Sequence, residues 1–315
     1  MRKTTALIAA LALLGSLTAC AGADTVAGCA PTLAPGAASS LVTATGVFGT
    51  APKVKFPTPL FAKTSQVSQL IAGKGAAIGD GQPVVLDVTI INATTGTTLQ
   101  KTDYSTNGGS LITTGKSTFP AVSEALKCAQ VGSRIAIVGS AKDSHNGTAD
   151  AANNIGKDDS FIYVVDVRRA FLAKANGENE IPQNGLPAVV TTADGTPGIS
   201  VPNATPPASA EVALLKQGSG AAVKSGQYIV VKYTAIAWAD KAVFDSTWST
   251  HQASVIQVGS ETVSAGLSKA LIGKTVGSQV LAVVPPRDDV VSNGSGKAPQ
   301  GATSIYVVDI LGIAQ

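Results

Sequence analysis

The sequence predicts an α+β protein built from two tandem domains, each an antiparallel β-sheet wrapped on one short α-helix. Three observations carry this. An ordered series of short matches recurs 145 positions apart, so a domain-sized unit is present twice rather than a short solenoid repeat. Within the unit, strand patterns come first, then one short amphipathic segment, then strands again, which is the order of a sheet covered by a single helix. The chain is rich in Ala, Val, Thr and Gly, with 33 Gly, 16 Pro and only 4% aromatic residues, a composition of strands and turns.

The 315 residues suffice for two domains with their own cores. Charged residues are 14% and the net charge is +3, with no clustered basic face, which excludes a disordered polyelectrolyte and argues against nucleic acid as a partner. Two His and three Cys leave little material for a metal site or a His-based triad, and neither a metal nor a cofactor is expected.

Met1-Arg2-Lys3 is a positive n-region, and Thr4 to Leu14 is an apolar run too short to span a membrane stably. Leu17-Thr18-Ala19-Cys20 follows, with small residues just before a Cys. This resembles the lipobox of bacterial lipoproteins, whose Cys carries a diacylglycerol and becomes the new N-terminus. Residues 1–19 are read as a lipoprotein signal peptide, Cys20 as the lipidation site and 20–45 as a flexible tether. The expected location is the cell envelope, outside the cytoplasm, held to the membrane by acyl chains at ~0.8 kcal/mol per buried CH₂. The plainer reading is a secretory signal with a Cys by chance. For Cys29 and Cys128, two readings stand: a disulfide pinning the N-terminal segment to the first domain, or two buried thiols.

The repeat begins with Pro52 to Pro57, matched by Pro197 to Pro202. Gly75-Ala76-Ala77-Ile78 recurs as Gly220-Ala221-Ala222-Val223, Gly81-Gln82 as Gly226-Gln227, and Val131-Gly132-Ser133 as Val276-Gly277-Ser278. Each copy ends on Ile-Tyr-Val-Val-Asp, at 162–166 and 305–309. Copy one is placed at 46–171 and copy two at 188–315. The polar stretch Lys174 to Glu180 has no apolar period, and 172–187 is read as linker.

In copy two, Tyr228 to Trp238, Gly277 to Val284 and Ser304 to Ile310 read as strands. Glu261 to Ile272 reads as the helix, with Val263, Leu267, Ala270 and Leu271 on one face and Gly273 as its stop. The detailed pattern is then specific: Val231-Lys232-Tyr233-Thr234, Val243-Phe244-Asp245-Ser246, Val263 to Leu267 with Leu271 and Gly273, Val276-Gly277-Ser278, and Ala302-Thr303 before the last strand. From about Val223 to Leu311 this resembles the FKBP-type peptidyl-prolyl cis-trans isomerase domain. The resemblance implies an apolar, proline-binding pocket between sheet and helix, with no cofactor, and proline-containing polypeptides as clients.

By position, the resemblance gives Tyr233 the pocket hydroxyl, Phe244 an aromatic wall and Asp245 the rim, as the catalytic set. Val263, Ser264 (through its N–H), Leu267 and Tyr306 become substrate-binding positions. Copy one has Val88 opposite Tyr233 and no aromatic residue near the Phe244 position, which favours a pocket role for both over a packing role. Tyr163 stands opposite Tyr306 in copy one, which favours a structural role for Tyr306; Asp245 reads equally as a turn cap. Two departures stand out: the family's Trp floor is Leu267, and its loop Tyr is replaced by Asp288 or Asp289. Gly294-Ser295-Gly296-Lys297 lacks phosphate-loop context, and His251 with Ser246 lacks a nucleophile elbow.

The expected function is prolyl isomerisation of newly exported chains by copy two, copy one being degenerate. The alternative is a non-catalytic peptide- or protein-binding lipoprotein with vestigial isomerase domains. A solute-binding lipoprotein would need more helix than the pattern offers. Sequence fixes no oligomeric state.

Overall fold

A computed structural model describes residues 29–105, 108–115, 120–181, 183–289, 299 and 301–314. The signal segment, Cys20 and the Gly294 to Lys297 stretch lie outside these residues.

The first unit contains β1 (Thr43–Thr45), β2 (Lys53–Lys55), β3 (Gln66–Ile71), β4 (Pro83–Asn92), β5 (Thr98–Lys101), β6 (Ser110–Thr113), α1 (Pro120–Leu126), β7 (Arg134–Gly139), α2 (Ala141–His145) and β8 (Phe161–Ala170). The second contains β9 (Glu178–Asn179), β10 (Ala188–Thr191), β11 (Pro197–Ser200), β12 (Glu211–Gln217), β13 (Tyr228–Ala237), β14 (Val243–Ser246), β15 (Ser254–Gln257), α3 (Ala265–Leu271), β16 (Gln279–Val284) and β17 (Ser304–Ile313). The main sheets run β3-β7-β8-β4-β5, with β6 also on β4, and β14-β13-β17-β16-β12-β9, with β15 also on β13; every pairing is antiparallel.

The repeat read from sequence is thus a repeat of register. Thr89 pairs with Lys101 as Thr234 pairs with Ser246, and both ten-residue central strands split their outer edge between two partners. Strands whose faces are both covered read as near-continuous apolar runs, and all six residues of β16 are buried. On one face, α3 packs Ala270 and Leu271 against Ile229, Val231, Val280, Val308 and Ile310. The other face, carrying Ile236, Leu281, Val283, Ile305 and Val307, lies under the β10–β11 hairpin through Val189 and Ile199.

Three boundaries differ from the sequence reading. The helix begins at Ala265, four residues later than expected, because the Ser264 hydroxyl accepts the Leu267 N–H and ends the extended approach there. Val263 therefore lies in the preceding turn, not on the helix. The tether reading fails from residue 38 on. Ala38 and Val42 are buried with Leu60, Ala62 and Ile91, and the Gln66 side chain accepts the N–H groups of Ala38 and Ser39. Small residues that suggest slack instead fit tightly: a Cβ on Gly36 would lie 2.3 Å from Gln66. Cys29 is disulfide-bonded to Cys128, with Cα atoms 5.7 Å apart.

The linker reading also fails in part. Ala175 N–H donates to Asp309, Asn176 and Gly177 donate to the Gly277 carbonyl, and Glu178–Asn179 adds an edge strand to β12. Each of these bonds is donated by the backbone or made along it, which an apolar period does not report. The two units also touch: Phe171, Val230 and Leu311 share a small core, and Lys232 Nζ donates to the carbonyls of Gly81 (2.8 Å) and Ala173 (3.0 Å) while lying 4.6 Å over the Trp248 ring.

Candidate active site

Alternation along β13 turns Ile229, Val231, Tyr233 and Ala235 toward α3 and Lys232 and Ile236 away from it. Tyr233 is the last large side chain of that row, and it is only half-buried. Its backbone N–H donates to the Thr247 hydroxyl (2.7 Å), which donates in turn to the Tyr233 carbonyl, so the strand is fixed beside its edge. The phenol donates to the Asp245 carboxylate on neighbouring β14 at 2.5 Å. Burial, then the adjacent carboxylate, raise the Tyr233 hydroxyl above its usual value, so it stays a donor at neutral pH.

Phe244 precedes Asp245 on β14 and is half-buried. Its ring stands edge-on to Tyr306 of β17, at 6.1 Å between centroids and 89° between planes. Leu267 of α3 packs on the same core from the helix side. Tyr233, Phe244 and Leu267 all pack on the core that contains Tyr306 while keeping part of their surface in solvent. Val263 is half-buried just before α3, its N–H on the Ser260 carbonyl, and Ser264 is buried as the helix cap. The structure thus pairs Tyr233 with Asp245 and Phe244 with Tyr306, and packs Tyr233, Phe244 and Leu267 on the one core that contains Tyr306.

Sequence left Asp288 and Asp289 undistinguished. Here Asp288 uses its backbone carbonyl to accept the Gly266 N–H (2.9 Å), which pins the turn after β16 to the start of α3. A side chain at Gly266 would lie 2.4 Å from Val284 and 3.1 Å from the Asp288 carbonyl, so glycine is what lets the turn approach. Asp289 then faces the site, and the Tyr306 hydroxyl donates to its carboxylate, 3.0 Å from each oxygen. Burial pushes the Asp289 carboxyl up, hydrogen bonding holding it back. Neither Gly266 nor this pair was singled out from sequence: nothing local shows that residues 266 and 288 meet.

The same places in the first unit are filled differently. Val88, Leu99 and Gln100 stand where Tyr233, Phe244 and Asp245 stand. Val88 is buried, Leu99 packs on its core, and α2 occupies the position of the 285–289 turn.

The sequence model of a family described as FKBP-type peptidyl-prolyl cis-trans isomerase matches residues 220–311. A probable FK506-binding protein of Corynebacterium glutamicum is 25% identical over 115 residues, 36% of this chain and 96% of that one. FK506-binding protein 2 of Aspergillus oryzae is 28% identical over 88 residues, 28% of this chain and 66% of that one. Among solved structures, the three FKBP domains of wheat FKBP73 align over 79% of this chain and 94% of that one, at 16% identity and a TM-score of 0.35.

Proposed function

From the premise that residues 220–311 form an FKBP-type peptidyl-prolyl cis-trans isomerase domain, we propose that the mouth bounded by Tyr233, Phe244, Asp245, Leu267 and Tyr306 is its proline pocket, serving newly exported polypeptides. The observation that supports this is the gathering of those five side chains, from three strands and a helix, four half-buried and Tyr306 buried behind them, on a core whose sister in the first unit has Val88, Leu99 and Gln100 there.

The chemistry asked of the site is modest. Rotation about an X–Pro bond loses amide resonance and meets a barrier of ~18–20 kcal/mol. The twisted amide has less charge separation than the planar one, so a water-poor apolar wall favours it over the ground state. Phe244, Tyr306 and Leu267 supply that wall for the proline ring. The Tyr233–Asp245 pair holds its polar atoms at the rim, and Ser264 at the start of α3 supplies an N–H for a flanking carbonyl.

The envelope location belongs to the same proposal. It is supported by the n-region, apolar run and box ending at Cys20, and by the Cys29–Cys128 disulfide, which suits an oxidising compartment. Loss of labelled fatty acid in Cys20→Ala tests the anchor.

The isomerase reading is tested with a chromogenic proline peptide. Wild-type chain is expected to accelerate isomerisation, and Phe244→Ala with Asp245→Ala to abolish most of the acceleration. The second reading, a peptide-binding module without turnover, is favoured by Leu267 in the place of the family's aromatic floor. Binding of proline peptides with rates at the uncatalysed background would establish it instead.

A further inference from the structure

The pocket mouth carries two carboxylates, and they are not equivalent. Asp245 receives the short bond from Tyr233. Asp288, next along the turn, is paired with Arg287 at the surface. Asp289 is half-buried, and the groups that face it are neutral hydroxyls: that of Tyr306, 3.0 Å from each oxygen, with those of Ser264 and Ser304 beside it. Among the described residues it forms no ion pair. A carboxylate withdrawn from water without a cation is costly, and the cost falls when a positive charge comes to it.

Its position is built, not incidental. The Gly266–Asp288 backbone bond holds the turn against α3, the Tyr306 hydroxyl orients the carboxylate, and the Tyr306 ring it holds is the one that meets Phe244. Asp289 therefore sits within one side chain of the place where a proline would pack, and it faces whatever residue flanks that proline.

We propose that Asp289 is a specificity-determining residue that selects clients with a Lys or Arg adjacent to the proline and disfavours those with Asp or Glu there. This rests on the pocket being the client site. A basic side chain is long enough to lie along the aromatic wall and bring its charge to Asp289. An acidic one adds a second anion in the same half-dry space.

The test measures binding and turnover separately. Fluorescently labelled peptides with Lys, Leu or Glu immediately before proline, and a second set varied immediately after it, are titrated by anisotropy into the mature chain and into Asp289→Asn. Asn keeps an acceptor for Tyr306 and removes the charge; Asp289→Ser serves if Asn does not fold. At one of the two positions the Lys peptide is expected to bind about three- to tenfold more tightly than the Glu peptide. The ratio should shrink in 0.5 M salt as the Debye length falls to roughly 4 Å, and collapse toward one in Asp289→Asn. Equal affinities in the wild type, or a Lys preference that survives removal of the Asp289 charge, would overturn the proposal. Isomerisation of the same peptides is followed in parallel. Rates at background with the Lys preference intact defeat the isomerase reading and leave the selectivity standing; normal rates without the preference do the reverse.

Discussion

Phe244→Leu separates packing from function at one position, because the first unit already carries the substitution as Leu99. Leu99 packs on the helix-face core of that unit, so the fold accommodates it. In the second unit Phe244 is half-buried, and among the described residues its ring pairs with Tyr306, edge-on at 6.1 Å. Losing that pair removes about 0.5–1.5 kcal/mol, and Leu keeps most of the apolar area against Leu267 and the core. The folding cost is therefore about 1 kcal/mol, the size of an ordinary substitution. The wall proposed to meet the proline ring loses its flat face altogether. If that face supplies about 1.4 to 2.8 kcal/mol, kcat/KM falls about ten- to hundredfold. The assay pairs urea unfolding with chromogenic peptide turnover at a temperature far below unfolding. Full activity with Leu at position 244, or a loss matched by an equal loss of folded protein, would refute the claim that Phe244 is held for the pocket rather than for the core.

Two further expectations follow from the outer faces of the sheets. Arg134 and Asp166 form a fully buried ion pair (2.5 and 2.7 Å), with the guanidinium also donating to the carbonyls of Gly46, Val47 and Thr50. Arg134→Ala strands the carboxylate and is expected to cost about 3–5 kcal/mol by urea unfolding, with Arg134→Gln, which copies Gln279 of the second unit, costing less; a change under 1 kcal/mol for Ala would contradict this. Asp309, buried on β17, has its carboxyl pushed up by burial. The folded state thus holds that proton more tightly than the unfolded chain, so its contribution is full below the unfolded value near 3.9 and is lost as pH rises through the folded one. The stability of Asp309→Asn relative to wild type should therefore climb with pH above about 4, and a flat difference between the two curves would contradict it.

Much of this fold was legible because the repeat was. Matches such as Val131-Gly132-Ser133 with Val276-Gly277-Ser278 fall at a strand approach that both units use, and Gly132 and Gly277 both hold positive φ there. The five positions proposed for the pocket came from one resemblance and one difference, the absence of Tyr233 and Phe244 equivalents from the first unit. What escaped has a common cause. The packed segment 38–45, the bonded stretch 175–179, the Gly266–Asp288 contact and the Lys232 bridge are made by backbone groups or by residues far apart in sequence. Neither leaves a periodic apolar signal. Helix start failed for a related reason: Val263 fits the helical face by spacing, but the Ser264 cap decides where the turn begins.

The two units also show why one scaffold can carry different side chains at the same edge of its helix-face core. Each anchors its preceding chain on the outer face through the same strand carboxylate: Gly49 N–H donates to Asp166, and Ala175 N–H to Asp309. The cross-strand neighbours of those carboxylates are Arg134 and Gln279, at matching register. None of these residues points toward the helix. The outer face therefore carries the tying-down of the chain, and the helix face is free to vary near its mouth. There, Val88 against Tyr233 and Leu99 against Phe244 exchange buried packing for half-open aromatic surface, while Ile229, Leu271, Val280 and Ile310 beneath stay fully buried. A domain whose mouth residues were also its anchors could not make that exchange without unfolding. Here the core and the outer-face bonds hold the fold, so the side chains at that edge are free to differ between the units.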